Sequence, residues 1–315
     1  MMILVTGGTG FVGRAVLRRL AEFGFAVRTM LQPSSRSPAL PRGVPVDITL
    51  AGITDRRGVR ASLVGIETII HLAVIEGQGG SDHGLELELA GTQNIAEAAA
   101  EAGIKRLFFL SHIGVDRGSA YPAMQMKALA EEQIRNSSVP YTILRTALLF
   151  GRQDNFTTSL AMLLGISPLL FPMPGDGSTL LQPLWVDDLA TAITWALDEP
   201  STIDKTIEIG GPEYISFKQI LRMIMKASSA PRILIPARPP YLRTGAWIME
   251  KLMPRSPINP QWLDYLAVDR TTDLNTLPHL LGLQPSRIED KIDYLGKRNW
   301  GWDLLIRQFT DRRRG

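Results

Sequence analysis

The segment Thr6-Gly7-Gly8-Thr9-Gly10-Phe11-Val12-Gly13 constrains this chain more than any other. It follows a short apolar run, Ile3–Thr6, and opens a stretch, Phe11–Phe23, whose Val12, Val16, Leu17 and Leu20 fall on one helical stripe. Gly7, Gly10 and Gly13 have the spacing G-x-x-G-x-x-G. In such a strand–turn–helix, one glycine makes the tight turn and a second lets backbone approach a pyrophosphate. The third lets helix and strand pack closely. The helix N-terminus then presents free N–H groups and a positive dipole end to phosphates. A tight turn without a ligand is the alternative. The position directly after the first strand favours a dinucleotide site.

The rest of the first 150 residues alternates strand-like and helix-like patterns. Phe25–Leu31 and Thr68–Val74 read as strands, Leu85–Ala102 as an Ala/Glu-rich helix, and Leu107–Ser111 as a strand. Met124–Asn136 reads as a helix and Tyr141–Leu144 as a strand. Alternation of this kind predicts βαβ units. The fold class is therefore α/β, a doubly wound Rossmann-like parallel sheet with a smaller C-terminal lobe. Residues 1–151 form the dinucleotide-binding domain, completed by segments around 182–210. Residues 152–181 and 211–315 form the small substrate or partner lobe. Ala190–Leu197 and Phe217–Lys226 read as helices and Thr206–Ile209 as a strand.

Composition narrows the function. The 315 residues carry 34 Lys+Arg against 31 Asp+Glu, a net charge of +3, too small to imply a nucleic-acid partner. There is no cysteine, which excludes disulfides, thiol nucleophiles and thiolate metal sites. The four histidines are scattered, so no metal is expected. Met1–Val5 runs into the glycine turn without the features of a signal peptide. The nearest membrane-span candidate, Leu160–Pro174, is interrupted by Gly165, Pro168 and Pro172. A cytoplasmic protein is expected.

The end of the second strand bears on cofactor choice. NAD binders place Asp or Glu there for the ribose hydroxyls. Here the run is Met30-Leu31-Gln32-Pro33-Ser34-Ser35-Arg36, without a carboxylate. Gln32, Ser34 or Ser35 can hydrogen-bond a 2′-phosphate and Arg36 can pair with it. Arg28, inside the strand, is a weaker candidate. NADP(H) is favoured over NAD(H).

The glycine turn, His71-Leu72-Ala73 and Gly91-Thr92-Gln93-Asn94 resemble the extended and atypical short-chain dehydrogenase/reductase superfamily. Tyr141-Thr142-Ile143-Leu144-Arg145, Phe150-Gly151, Gln182–Ala190 and Glu208–Glu213 extend the resemblance to about residues 2–295. The subgroup it resembles most contains the nucleotide-binding accessory subunit of respiratory complex I and its bacterial relatives. The resemblance implies that backbone near Thr9, Phe11 and Val12 faces the pyrophosphate. It further implies that Ala73 lines the adenosine side, that Lys127 holds the nicotinamide ribose, and that Ala147 and Leu148 lie beside the nicotinamide. It also implies a protein partner, or a complex peripheral to a membrane, reached through the small lobe.

Departures from that pattern are equally informative. The superfamily's Tyr-x-x-x-Lys lets the lysine lower the tyrosine pKa. Four residues before Lys127 stands Ala123. Tyr121 precedes Pro122 and is off that helical face. The catalytic Ser/Thr position falls on Ile113, with Ser111 and His112 adjacent. Relatives carry aspartate near the adenine where Gly52 stands. If the chain is an enzyme, Lys127 with Tyr121 or His112 are its candidate catalytic residues. His112 reads more readily as a packed or surface histidine, and Tyr121 as a loop tyrosine before a proline. Asp187 and Asp188 read as helix-capping residues. Glu76–Gly84 reads as a lid or a plain surface loop. In Tyr241–Met253, Leu242, Ala246, Met249 and Met253 share helical spacing, with Trp247 and Ile248 beside them. That segment is either lobe core or a face for a partner or membrane.

Overall fold

The computed structural model describes residues 1–34, 38–72, 82–253, 255–296 and 298–309. They divide into two compact units. The first comprises Met1–Thr146, Val186–Ile209 and Thr272–Gln284, the second Ala147–Trp185, Gly210–Thr271 and Pro285–Gly315.

In the first unit, β1 (Met2–Thr6), β2 (Ala26–Leu31), β3 (Asp47–Leu50), β4 (Thr68–His71), β5 (Arg106–His112) and β6 (Tyr141–Thr146) join the strand Lys205–Ile209. Among the described residues they form a seven-stranded sheet. Its order is Lys205–Ile209, β6, β5, β4, β1, β2, β3, and every pairing is parallel. Parallel strands need crossovers, supplied by α1 (Phe11–Glu22), α2 (Arg56–Ser62), α3 (Asp82–Glu101) and α4 (Pro122–Arg135). Order reverses between β1 and β4, and ligands bind such sheets at the strand ends by that switch point. The central strands are continuous apolar runs because helices cover both faces: Ile3, Leu4, Val5, Ile69, Ile70 and Leu107 are buried.

The stretch 32–67, to which the sequence pattern assigns no element, supplies β3 and α2. β3 is an edge strand of mostly exposed Asp-Ile-Thr-Leu, so it lacks the apolar run that marks a buried strand. α2 starts at Asp55, whose side chain accepts from the N–H groups of Arg57 and Gly58. Arg28 is engaged at this edge. Its Nε donates to Asp47 Oδ2 at 2.7 Å, and its guanidinium also reaches the carbonyls of Ser62 and Val64. Asp187 and Asp188 lie in the first turn of the helix Val186–Ala196, where carboxylates suit the dipole.

The second unit has its own core, including Phe150, Phe156, Leu160, Leu164, Phe217, Ile220, Ile224 and Leu304. The apolar stretch Leu160–Pro174 divides into the helix Phe156–Ile166, with Phe156–Leu164 buried, and the strand Leu170–Pro174. A helix buried on all sides has no amphipathic stripe, which hides it from periodicity. Among the described residues no helix is long and apolar enough to cross a membrane.

Candidate functional site

The glycine turn has the geometry that a pyrophosphate site requires. Gly7 has φ 74°, a conformation that L side chains rarely adopt. Gly10 caps α1 in extended geometry without a side-chain cap, and its N–H donates to Gly7 O at 3.0 Å. The first-turn N–H groups, at Phe11, Val12 and Gly13, therefore lack intrahelical carbonyl partners. A Cβ on Gly13 would stand 2.1 Å from Gly7 O, and one on Gly8 would stand 2.2 Å from Thr29 Oγ1. These two glycines bring turn, helix and β2 together. Gly10 differs: a Cβ there would meet only Gly7 O, at 3.2 Å, and the residue is exposed. Its open side is where backbone can meet a ligand. Gly8 was not singled out by the G-x-x-G-x-x-G spacing, because its contact is with a neighbouring strand.

Arg14 is a second residue that the sequence reading missed. Its guanidinium donates to Thr9 O, and burial, then Arg18, lowers its pKa. A helix N-terminus ordinarily draws carboxylates, yet the first turn of α1 has none. A half-buried arginine beside a positive dipole end fits an anionic ligand. Gln32 and Ser34 are exposed just beyond β2. Arg36 and Ala73 lie outside the described residues, as does most of Glu76–Gly84.

The catalytic candidates are arranged differently. Lys127 is buried on α4, and its Nζ donates to Glu88 Oε1 of α3 at 2.7 Å. The ammonium also lies 4.8 Å from the centroid of Phe109, on whose other neighbour, His71, the ring stacks at 5.6 Å. Thr92 gives its hydroxyl proton to Glu88 O (2.9 Å), so it accepts from His71 Nε2–H (3.1 Å). His71 Nδ1 then accepts from the Thr6 hydroxyl at 2.6 Å. Burial, then Lys127, pushes the His71 pKa down to about 3, so the imidazole is neutral. Glu88 falls on the buried α3 stripe with Thr92, Ile95 and Ala99. A carboxylate on a buried stripe requires a partner, and this was the available sequence signal.

Ser111 is likewise committed. Its hydroxyl donates to Glu131 Oε1 at 2.6 Å. Glu131 also accepts from Arg145 (2.8 and 2.7 Å) and Arg135 (2.6 Å). Burial raises its pKa, but hydrogen bonds from Arg145 and Ser111 outweigh that and hold it below the usual carboxylate range. Ile113 is buried and donates its N–H to Thr146 O. Residues alternate along β5, so His112 falls with Arg106 and Phe108, on the face opposite Phe109 and Ser111. Tyr121 is the N-cap of α4, one position before Pro122, and six before Lys127. Lys127 is thus gathered with His71 and Glu88, while His112 is on the other pleat and Tyr121 at the helix cap. Ala147 and Leu148 are buried in the second unit, where Leu184 N donates to Leu148 O at 2.8 Å.

The profile of the NAD(P)H-binding family matches residues 7–162, which begin in this turn. The match fits the atypical short-chain dehydrogenase/reductase superfamily. It is 28% identical to the Arabidopsis thaliana NADH dehydrogenase (ubiquinone) 1 alpha subcomplex subunit 9, mitochondrial, over 98% of this chain and 81% of that one. It is 27% identical to the 2-alkyl-3-oxoalkanoate reductase of Stenotrophomonas maltophilia, covering 91% of this chain and 93% of the reductase. The fold matches the Thermus thermophilus UDP-glucose 4-epimerase complex with NAD at a TM-score of 0.67. That match has 21% identity over 94% of this chain and 99% of the epimerase. The chain is an NAD(P)H-binding protein, and a nicotinamide dinucleotide is its cofactor.

Proposed function

We propose that this chain binds NADP(H) without performing the superfamily's Ser–Tyr–Lys proton transfer. It acts instead as a structural, assembly or redox-sensing component. The observation that carries this reading is the contrast within the first unit. The turn keeps the geometry for pyrophosphate, while Lys127 sits opposite Glu88, four residues after Ala123. Backbone at Thr9, Gly10, Phe11 and Val12 would receive the pyrophosphate, with Gly7 and Gly13 shaping the turn. Arg14, Gln32, Ser34 and Arg36 would favour a 2′-phosphate, given no carboxylate after β2. Lys127 retains donors beyond the one given to Glu88 and would hold the nicotinamide ribose. A bound nicotinamide supplies hydride chemistry. This chain's side chains supply orientation but no tyrosine at the position that would protonate an alkoxide. The relative named as a complex I subunit supports placement at the periphery of a membrane complex, with a protein partner.

The similarity to a named reductase favours a second reading, an NADPH-dependent oxidoreductase or epimerase of a small carbonyl, quinone-like or nucleotide-sugar substrate. The experiment that separates them is titration with NADPH, followed by an absorbance assay of its oxidation over aldehydes, ketones and nucleotide sugars. Saturable binding with negligible turnover supports the first reading. Turnover lost in Tyr121→Phe or His112→Ala would establish the second.

A further inference from the structure

The helix Pro239–Leu252 in the second unit has two apolar stripes, and only one is used. Leu242, Ala246, Met249 and Met253 recur at helical spacing. Ala246 is buried, and Met249 and Met253 pack against the core of this unit. This is the core reading of the segment. Tyr241, Gly245, Ile248 and Leu252 recur at i, i+4, i+7 and i+11 and form a second stripe about 100° away. That stripe faces out: Tyr241 is 72% exposed, Ile248 44% and Leu252 78%. On the flank of that stripe stands Lys251, with Trp247 farther round; Arg243, on the far side of the helix, is paired with Asp264. Trp247 is half exposed and carries the Lys251 ammonium 4.7 Å from its ring centroid. Arg238, exposed, precedes the helix, and Arg255 follows it. Glu250 is the helix's sole acidic residue.

We infer that this stripe is a lipid-facing surface that docks on an anionic bilayer. Charge and residue type together select that occupant. Lys251 on the flank and exposed Arg238 at the helix start give this side positive charge, which complements anionic headgroups. Tyr and Trp at the edge of an aliphatic stripe match the headgroup boundary, where an apolar body and a polar tip are both satisfied. The helix lies at the surface instead of spanning, because its other stripe is occupied by protein core. The strands Leu170–Pro174 and Ile233–Ala237 of the same unit add exposed apolar residues: Leu170, Ile233 and Ile235, with Ile233 paired to Leu170. The inference extends the peripheral placement proposed above and does not need the dinucleotide reading.

The test is co-sedimentation of the full chain with phosphatidylcholine vesicles, alone or with about one-third phosphatidylserine. Binding to the anionic vesicles is expected, weakening as salt rises. The double variant Ile248→Ser/Leu252→Ser should lower the partition coefficient at least about tenfold. Both residues are exposed, so the variant should fold, and its NADPH titration should match the parent. Lys251→Glu should also weaken binding about tenfold, on anionic vesicles alone. A blue shift of tryptophan emission on vesicle addition should shrink in Trp247→Phe. No affinity for anionic vesicles, or charge-driven affinity unchanged in the double variant, would overturn the inference. So would self-association that the double variant abolishes in a chain without vesicle affinity, since a second copy would then own the stripe. Failure of vesicle binding with intact NADPH binding removes this inference and leaves the cofactor reading standing.

Discussion

The glycine turn and the Lys127 cluster belong to one sheet and one unit, yet they treat polar groups in opposite ways. At the turn, backbone N–H groups are left at an open helix end beside the exposed Gly10, and Arg14 adds positive charge. Behind β4 and β5, each charged group meets a partner inside the protein: Lys127 meets Glu88, and Glu131 meets Ser111, Arg135 and Arg145. A ligand can compete for the first set at little cost. Competing for the second means breaking buried ion pairs. On the proposed reading the turn receives an anion, while the cluster serves the fold first and offers a ligand only the donors of Lys127 that Glu88 leaves. The difference teaches that a lysine at the position the resemblance assigns can be tied into the fold by a buried carboxylate.

The largest effect should come from the turn. In Gly13→Ala the new Cβ would collide with Gly7 backbone, so NADPH affinity should fall more than about a hundredfold and thermal stability should drop with it. Gly10→Val should abolish binding while leaving the melting temperature close to the parent's, because that side is open. Calorimetric titration and thermal unfolding on the two variants check this. Retained affinity in a folded Gly10→Val protein would move the site elsewhere.

The cluster should respond in stability. Lys127→Met leaves the Glu88 carboxylate buried without its partner and should cost about 3–5 kcal/mol in urea unfolding. The double variant Lys127→Met/Glu88→Leu should recover most of that loss. A neutral Lys127→Met would show the pair is not holding the fold, and would erase the contrast with the turn.

His71 adds a pH dependence. Its pKa is about 3 in the folded protein against 6.5 when unperturbed, so only the unfolded chain takes up a proton between those values. Its contribution is fully present above 6.5 and declines as pH falls. The expected loss is about 2–3 kcal/mol between pH 6.5 and 4.5. Glu131, held below the usual carboxylate range, adds its own loss only at more acid pH. Denaturant midpoints across this range should slope in the parent and flatten in His71→Asn.

The smallest effect concerns cofactor choice. NADPH should bind about ten- to a hundredfold more tightly than NADH, the worth of one charge-assisted contact. Arg14→Ala and Arg36→Ala should narrow that ratio. A ratio that survives both would keep the preference and reassign its source to Gln32 and Ser34.

What the sequence made legible follows burial. β1, β4, β5 and β6 are apolar runs, and the glycine spacing fixes the turn, so the sheet and cofactor end could be read directly. β3 and α2 carry few core residues, and the helix Phe156–Ile166 is apolar all round, so neither pattern has a readable period. The site was half legible. Ala123 and Ile113 stand visibly where tyrosine and serine would be expected. Lys127 with Glu88, His71 with Thr92, and Ser111 and Arg145 with Glu131 pair across helices and strands, which local spacing does not specify. Only the placement of Glu88 on a buried stripe hinted at one.

The most direct measurement is single-turnover mixing of NADPH with the parent chain and a carbonyl panel, following nicotinamide fluorescence for binding and absorbance for oxidation in the same sample. A binding protein without a proton relay should give a saturable fluorescence change and an absorbance that stays flat. The missing acid is worth about 10²–10⁴ in rate. Oxidation at enzymatic rates that disappears in Tyr121→Phe or His112→Ala would contradict it.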